Sequence, residues 1–158
     1  MINPDRLVVF TLDDYRYAVP LPAVEQAVRV VEITPLPQAP DMVIGVINLR
    51  GRIIPVLNIR KRFRLPERER ALSDQLLIAC TARRTVALVV DGVSDVIEHS
   101  AQETTAPARI SPGLEYVTGV VKLKDGMIFI HDLDEFLSLE EEGELDAAIG
   151  AGNISGDA

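Results

Sequence analysis

Two stretches of the chain, 74 positions apart, are near-copies of each other. Residues 45–59 read GVINLRGRIIPVLNI, and residues 119–133 read GVVKLKDGMIFIHDL. Each copy runs from an apolar segment through a basic turn to a second apolar segment, with glycine near the reversal. That order is typical of a β-hairpin, because glycine supplies the backbone freedom that a tight turn needs. Four positions are identical and further pairs keep their chemistry: Gly45/Gly119, Val46/Val120, Leu49/Leu123 and Ile54/Ile128, with Arg50/Lys124, Val56/Ile130 and Asn58/Asp132.

A second pair of segments supports the duplication at an offset of 69 positions. Residues 7–28 read LVVFTLDDYRYAVPLPAVEQAV, and residues 76–97 read LLIACTARRTVALVVDGVSDVI. Each has an apolar strand, a polar turn, a second apolar strand and then β-branched residues spaced by four. The chain therefore contains one β-rich unit used twice, which predicts two small barrels whose apolar strands pack together. A duplicated hairpin unit is more typical of a binding scaffold than of a catalyst.

The size and composition of the chain fit an ordinary folded domain. At 158 residues, with 47% hydrophobic residues, it is one domain or two small ones that share a core. No apolar run approaches the roughly 20 residues that span a bilayer, and the first residues lack an apolar signal core. The single cysteine, Cys80, fits a reducing compartment and is expected to be a small buried apolar residue. We therefore expect a cytoplasmic protein.

Charge is unevenly distributed along the chain. The net charge of −8 disfavours nucleic acid or an anionic membrane as the main partner. The basic residues between positions 50 and 64 are either a solvated edge or a surface that docks an acidic protein. A small-barrel nucleic-acid binder that uses this cluster is the first alternative, although aromatic residues make up only 4% of the chain. The cluster consists of Arg50, Arg52, Arg60, Lys61, Arg62 and Arg64.

The sequence divides the chain into three parts. Residues 1–137 are predicted to form the β domain, within which Ala23–Val28 fits either a short helix or a strand. Residues 138–149 are predicted to be an acidic helix, because Ser138-Leu139-Glu140-Glu141 is a capping-box pattern. Residues 150–158 have the composition of a disordered tail.

Signatures of enzymes and metal sites are scarce. His131-Asp132 could provide a base in a hydrolase, the second alternative, but the corresponding residues of the first copy are Leu57 and Asn58. A position that accepts leucine in one copy is more plausibly structural. The spacing of cysteine and histidine suits no zinc site, and no phosphate-binding or nucleophile motif is present. We predict no catalytic residue, no metal and no cofactor.

The more informative candidates are basic or apolar residues that hairpin geometry could expose. Arg50 lies at a predicted turn, where its guanidinium is either simply solvated or forms a two-pronged hydrogen bond with a partner's carboxylate. A set of valines either belongs to the core or lines a groove between the repeats, and such a groove could accept the apolar face of a helix. These valines are Val24, Val28, Val93 and Val96.

Three segments of the chain together resemble the chemotaxis coupling protein family, the CheW-like domain. They are GVINLRGRIIPVLNIRKRF (45–63), ALVVDGVSDVI (87–97) and LEYVTGVVKLKDGMIFIHDL (114–133), in the family's order. The likeness extends over about residues 6–139. It implies a mainly β fold of two five-stranded SH3-like β-barrels packed around a shared hydrophobic core, plus a short C-terminal helix. It also implies a protein that performs no chemistry.

The resemblance further implies an adaptor that couples the cytoplasmic tip of a chemoreceptor (a methyl-accepting chemotaxis protein) to the regulatory domain of the histidine kinase CheA. Such an adaptor works in receptor arrays at the inner face of the membrane, without inserting into it or binding nucleic acid. Gln26 stands where relatives often carry glutamate, with Glu25 shifted by one position. An adaptor of a non-flagellar chemosensory pathway remains an open alternative. The positions that match residues implicated in receptor or kinase binding are Val24, Gln26, Gly45, Arg50, Val93 and Val96.

Overall fold

The structure is a computed structural model that describes residues 5–67, 73–99, 104–105, 117–124 and 126–152. Over these residues the chain forms eleven strands and two α-helices, and short 3₁₀ turns precede β3 and α2. The strands are β1 (Asp5–Leu12), β2 (Tyr15–Pro20), β3 (Val24–Arg29), β4 (Val43–Leu49), β5 (Arg52–Leu57), β6 (Gln75–Cys80), β7 (Thr85–Val90), β8 (Gly92–His99), β9 (Thr104–Thr105), β10 (Val117–Leu123) and β11 (Gly126–His131). The helices are α1 (Ile59–Arg62) and α2 (Leu139–Gly152).

The four predicted hairpins are all present as antiparallel pairs: β1–β2, β4–β5, β6–β7 and β10–β11. The segment that fitted either helix or strand is strand β3, and a 3₁₀ turn at Leu21–Ala23 leads into it. Pro22 suits this turn, because its fixed φ is compatible with helical geometry and its missing N–H is not needed there. The segment after β5 forms the single helical turn α1.

Each sheet combines strands from both sequence repeats. The first sheet has the order β8-β1-β2-β11-β10-β9, and the second has the order β3-β6-β7-β5-β4. Strands β1 and β2 of the first repeat thus lie between β8 and β11 of the second repeat. Strands β6 and β7 of the second repeat lie in the same way between β3 and β5 of the first. Neither sheet can form from one repeat alone, so the two repeats are interlocked.

The equivalence of the two sheets extends to single residues. The parallel contacts β2–β11 and β7–β5 and the antiparallel contacts β1–β8 and β6–β3 use corresponding residues. A bulge interrupts β3 and β8 at corresponding places, and another interrupts β4 and β10. The corresponding partners are Ala18 with Ile130 and Ala87 with Val56, then Leu7 with Ile97 and Leu76 with Val28.

The apolar residues separate into two barrel interiors and one shared core. The interior of the first barrel contains Leu7, Val9, Ala18, Val121, Ile128 and Ile130. The interior of the second contains their repeat counterparts Leu76, Ile78, Ala87, Ile47, Ile54 and Val56. The alternate residues of the same strands, such as Val8, Phe10, Leu77 and Leu88, face the shared core. This confirms the predicted fold: mainly β, two five-stranded SH3-like barrels around a shared core, and a C-terminal helix. The two-residue β9 is an additional strand at the edge of the first sheet.

Helix α2 begins where the capping-box pattern predicts. The backbone N–H of Glu141 donates to Ser138 Oγ at 3.1 Å, and the N–H of Ser138 donates to Glu141 Oε1 at 2.8 Å. Its inner face buries Leu145 and Ala148 in the shared core. The helix ends at Gly152, beyond the predicted end at residue 149, and residues 153–158 of the predicted tail lie outside the described residues. No helix in the described part of the chain is long and apolar enough to cross a membrane.

Candidate docking surface

The tip of the β4–β5 hairpin presents Arg50 to solvent. Arg50 and Gly51 form the two-residue turn with φ values of 54° and 85°, a pair of positive φ angles that suits the twist of the flanking strands. The N–H of Gly51 donates to Asn48 Oδ1 at 2.8 Å, which holds the turn in place. Arg50 is exposed and forms no ion pair with any residue that the structure describes. Its guanidinium is therefore available to a partner.

Gly45 lies inside the fold rather than on its surface. The segment at Thr34 crosses β4 through a β-bridge between Thr34 and Val46, directly over Gly45. A Cβ atom at Gly45 would lie 2.2 Å from the carbonyl oxygen of Thr34. Glycine is therefore required for this close approach. Its influence on any partner would act through the position of the segment around Thr34.

Val24 and Val93 are repeat counterparts that lie beside the bulges of β3 and β8. Both are half-buried and pack against the shared core. The N–H of Val93 also donates to Gln75 Oε1 at 2.8 Å. Val96 on β8 lies outside that cluster, with 49% of its surface exposed. Val24 and Val93 thus pack against the same shared core from different sheets, and Val96 lies on the open surface.

The bulge in β3 decides where the charge near Gln26 lies. Val24 and Gln26 pair with the consecutive residues Ala79 and Ile78 of β6, so Glu25 is the extra residue of the bulge. The guanidinium of Arg52 donates to both carboxylate oxygens of Glu25, at 3.0 and 3.1 Å. Hydrogen bonds from Arg52 and then from Cys80 lower the pKa of Glu25 below its ordinary value. The carboxylate beside Gln26 is therefore ionised and paired within the protein.

Cys80 is exposed, and the prediction that it is buried was wrong. It is the last residue of β6, where the buried run of the strand ends. Its Sγ lies 3.4 Å from Glu25 Oε1 and 3.5 Å from Thr85 Oγ1, in the polar surroundings of the Glu25–Arg52 pair. An apolar run in the sequence does not show at which residue the strand leaves the barrel interior.

The basic run does not form a continuous basic surface. Four of its six members pair with carboxylates of the described residues: Arg52 with Glu25, Arg60 with Asp13 and Asp91, Lys61 with Glu67, and Arg62 with Glu141. These pairs distribute the basic residues over several places in the fold. The hypothesis of a nucleic-acid-binding barrel depended on a continuous basic surface, and the described residues do not form one.

His131 belongs to the packing of the shared core. It is 1% exposed, and its ring centroid lies 4.0 Å from that of Phe63 and 5.6 Å from those of Tyr17 and Phe136. The neighbouring carboxylate of Asp132 accepts the N–H of Asp134 at 2.9 Å and so caps the 3₁₀ turn that follows. Within the described residues, no group of three or more His, Cys, Asp or Glu side chains could hold a metal ion.

Sequence reasoning missed the role of Arg60, which it grouped with exposed basic residues. Arg60 is buried, and its Nη2 lies 2.9 Å from Asp13 Oδ1 and from both carboxylate oxygens of Asp91. Burial opposes its charge, but hydrogen bonds to these two aspartates outweigh burial and raise the pKa of Arg60. The duplication offered a signal, because the counterpart of Arg60 in the second repeat is the oppositely charged Asp134.

Comparison with known proteins gives a consistent result. Residues 6–141 match the family described as the CheW-like domain. The chemotaxis protein CheW of Treponema pallidum is 30% identical over 142 residues, covering 86% of this chain and 84% of that protein. The CheW of Rhizobium meliloti is 31% identical over 137 residues, covering 85% and 88%. The crystal structure of the scaffolding protein TtCheW from Thermoanaerobacter tengcongensis superposes with a TM-score of 0.80 at 31% identity, covering 87% of this chain and 95% of that one.

Proposed function

The chain belongs to the CheW-like domain family of chemotaxis scaffolds, and from this premise we propose that it couples the cytoplasmic tip of a chemoreceptor to the regulatory domain of the histidine kinase CheA. The observation that carries the proposal is the family match over residues 6–141, nearly the whole of the double barrel. The proposed adaptor acts in the cytoplasm, within receptor arrays at the inner face of the membrane. It works by binding and not by catalysis.

The receptor surface is proposed to combine an apolar cluster with one cation. Val24 and Val93 are half-buried beside the shared core, and Val96 is exposed on the same strand as Val93. The apolar face of a receptor helix can pack on such a surface, and Arg50 can fix its register through a charge-assisted hydrogen bond to a carboxylate. Gln26 contributes a neutral polar group, since the adjacent Glu25 is paired with Arg52.

The position of Arg50 favours this role over that of a solvated turn residue. A guanidinium with no partner of its own binds a carboxylate without first breaking an internal ion pair, as Arg52 would have to do. Interfaces built from one apolar cluster and one cation are weak individually. Repeated contacts in an array raise the effective concentration of each partner and compensate for the weakness of each contact.

The repeat supplies a matched control for testing Arg50. Lys124 occupies the corresponding turn position of the β10–β11 hairpin and is also exposed. Pull-down with a receptor cytoplasmic fragment and with the kinase should weaken about tenfold or more for Arg50→Ala if Arg50 is a central contact. Lys124→Ala should bind as the unaltered protein does, and both variants should unfold at the same temperature as it does. Unchanged binding of both partners by Arg50→Ala would remove Arg50 from the site.

Co-sedimentation tests the adaptor function itself. The protein is mixed with a receptor cytoplasmic fragment in membranes and with the kinase, and sedimented kinase and autophosphorylation are measured. We expect both to depend on the adaptor. Kinase recruitment and activity that are the same without the adaptor would contradict the proposed function, whatever the result for Arg50.

A further inference from the structure

The two barrels contact each other at two corresponding places, called seams here, and different side chains fill them. At each seam, the turn of one hairpin contacts the residue that follows the second strand of another hairpin in the opposite barrel. At the first seam Asp13, in the β1–β2 turn, contacts Arg60. At the second seam Ala82, in the β6–β7 turn, contacts Asp134. These pairs occupy equivalent positions, because Ala82 is the counterpart of Asp13 at an offset of 69 and Asp134 that of Arg60 at an offset of 74.

The first seam, called here the Arg60 seam, is filled by one long cationic side chain. Arg60 Nη2 contacts the carboxylates of Asp13 and Asp91 at 2.9 Å, and Nη1 donates to the carbonyl of Pro66 at 2.9 Å. Only 9% of the Arg60 side chain is exposed. The cavity left beside it measures about 50 Å³. The Arg60 seam is therefore closed by a guanidinium that bridges carboxylates.

The second seam, called here the Asp134 seam, has shorter side chains at the corresponding positions. Aspartate replaces arginine at residue 134, and alanine replaces aspartate at residue 82. A cavity of about 520 Å³ remains, with walls formed by Pro20, Ala23, Cys80, Thr81, Ala82, His131, Asp132, Leu133 and Asp134. Three of these wall positions, Pro20, Asp132 and Asp134, correspond to Val89, Asn58 and Arg60 beside the closed seam.

The charge of the Asp134 seam is negative. Asp132 and Asp134 are the formally charged residues among its walls, and neither forms an ion pair with a residue that the structure describes. The N–H of Ala82 donates to one carboxylate oxygen of Asp134 at 2.7 Å, which fixes the carboxylate in the wall of the cavity. The cavity thus combines an apolar wall at Pro20, Ala23 and Leu133 with a positioned anion.

We propose that the Asp134 seam binds an arginine side chain of a partner protein, in the place that corresponds to that of Arg60 in the closed seam. At the Arg60 seam a guanidinium already lies between the barrels, held by the carboxylates of Asp13 and Asp91. At the Asp134 seam the positions of these two acceptors are taken by Ala82 and Pro22, and the carboxylate is supplied by Asp134 instead. A guanidinium suits the site better than an ammonium group, because it is more weakly hydrated and its planar fork can bond a carboxylate through two nitrogens. The methylene stem of the arginine would cover the apolar wall. The proposal does not depend on which surface binds the receptor or the kinase.

The test uses N-acetyl-arginine amide as the probe and the amide resonances of the whole ¹⁵N-labelled protein as the readout. We expect saturable shifts concentrated at Ala82, Leu133 and Asp134, in the millimolar range expected for a single side chain. N-acetyl-citrulline amide has nearly the same shape without the charge, and should bind about tenfold more weakly. Equal shifts from the arginine and citrulline probes, or shifts spread over the acidic surface, would overturn the proposal.

Two variants test the location on the protein side. Asp134→Asn keeps an oxygen that can accept the N–H of Ala82 but removes the charge, and should weaken the arginine probe about tenfold. The matched control is Glu135→Gln, which removes the charge of the adjacent exposed carboxylate, outside this cavity. Equal affinity of Asp134→Asn and the unaltered protein would place the arginine elsewhere. The comparison of the two probes decides the question on the unaltered protein if Asp134→Asn does not fold.

Discussion

Arg60 and Asp91 form a charged contact between the two barrels, with Arg60 Nη2 at 2.9 Å from both carboxylate oxygens of Asp91. Arg60 lies in α1, just after β5, which pairs with β7 in the second sheet. Asp91 connects β7 with β8 of the first sheet. The same nitrogen contacts Asp13 in the β1–β2 turn. One side chain therefore connects three segments that are distant in the sequence.

Replacing Arg60 by methionine should lower the free energy of unfolding by about 2–4 kcal/mol. The change keeps much of the side-chain volume but leaves the carboxylates of Asp13 and Asp91 close together without their cation. Urea denaturation followed by circular dichroism measures it. Arg52→Met is the control, since its pair with Glu25 is exposed and should matter little to stability. Equal stabilities of the two variants would show that the Arg60 contacts do not hold the barrels together.

Gly45→Ala should destabilise the protein by about 2 kcal/mol or more. The added Cβ would lie 2.2 Å from the carbonyl oxygen of Thr34, so the Thr34 segment must move away from β4. Gly143→Ala is the matched control within α2, where nothing lies within 4 Å of the added atom. That change should stabilise the protein by about 1 kcal/mol through helix propensity. Equal shifts of both denaturation midpoints in one direction would contradict the steric argument.

Helix α2 should contribute to the stability of the whole domain. Leu145 is 0% exposed in the shared core, whereas Leu139 in the first turn of the same helix is 71% exposed. Leu145→Ala should therefore cost about 3 kcal/mol of unfolding free energy, and Leu139→Ala should change it by less than about 0.5 kcal/mol. Thermal denaturation of the two variants tests this. A small effect of Leu145→Ala would mean that the barrels fold independently of α2.

Stability should fall in strongly alkaline solution because of Tyr17. Burial, followed by the nearby Tyr15 and Asp13, raises the pKa of Tyr17 from 10.0 to about 12. A group whose pKa is higher in the folded state contributes stability that is complete below pH 10.0 and is lost as the pH rises towards about 12. The total loss is about 2–3 kcal/mol for a shift of this size.

Tyr17→Phe isolates this effect from the titration of other groups. Phenylalanine preserves the ring stacked on Phe63, whose centroid lies 4.4 Å away, but cannot ionise. The variant should lose less stability than the unaltered protein between pH 10.0 and about 12, as measured by denaturant titrations at several pH values. Parallel stability curves for the two proteins would show that Tyr17 does not titrate in this way.

The sequence correctly predicted the elements whose signals lie within a short stretch of neighbouring residues. The apolar runs on both sides of the basic turn at Arg50–Gly51 predict the β4–β5 hairpin, because glycine supplies the positive φ that a tight turn needs. The capping box at Ser138 likewise located the start of α2. The duplication predicted two small barrels whose apolar strands pack together, and the resemblance to the family implied the same two barrels around a shared core. The binding roles of Arg50 and the valines remain predictions.

The tertiary structure decided everything that depends on which distant segments meet. The duplication alone does not reveal that β3, β4 and β5 join β6 and β7, whereas β8, β10 and β11 join β1 and β2, because an apolar strand edge is compatible with either partner. Cys80 and Arg60 show the same limit: an apolar run placed Cys80 inside, and a basic run placed Arg60 outside, yet the reverse is true. Burial depends on the packing of the other barrel and its carboxylates around a residue, and composition along the chain contains no record of those neighbours.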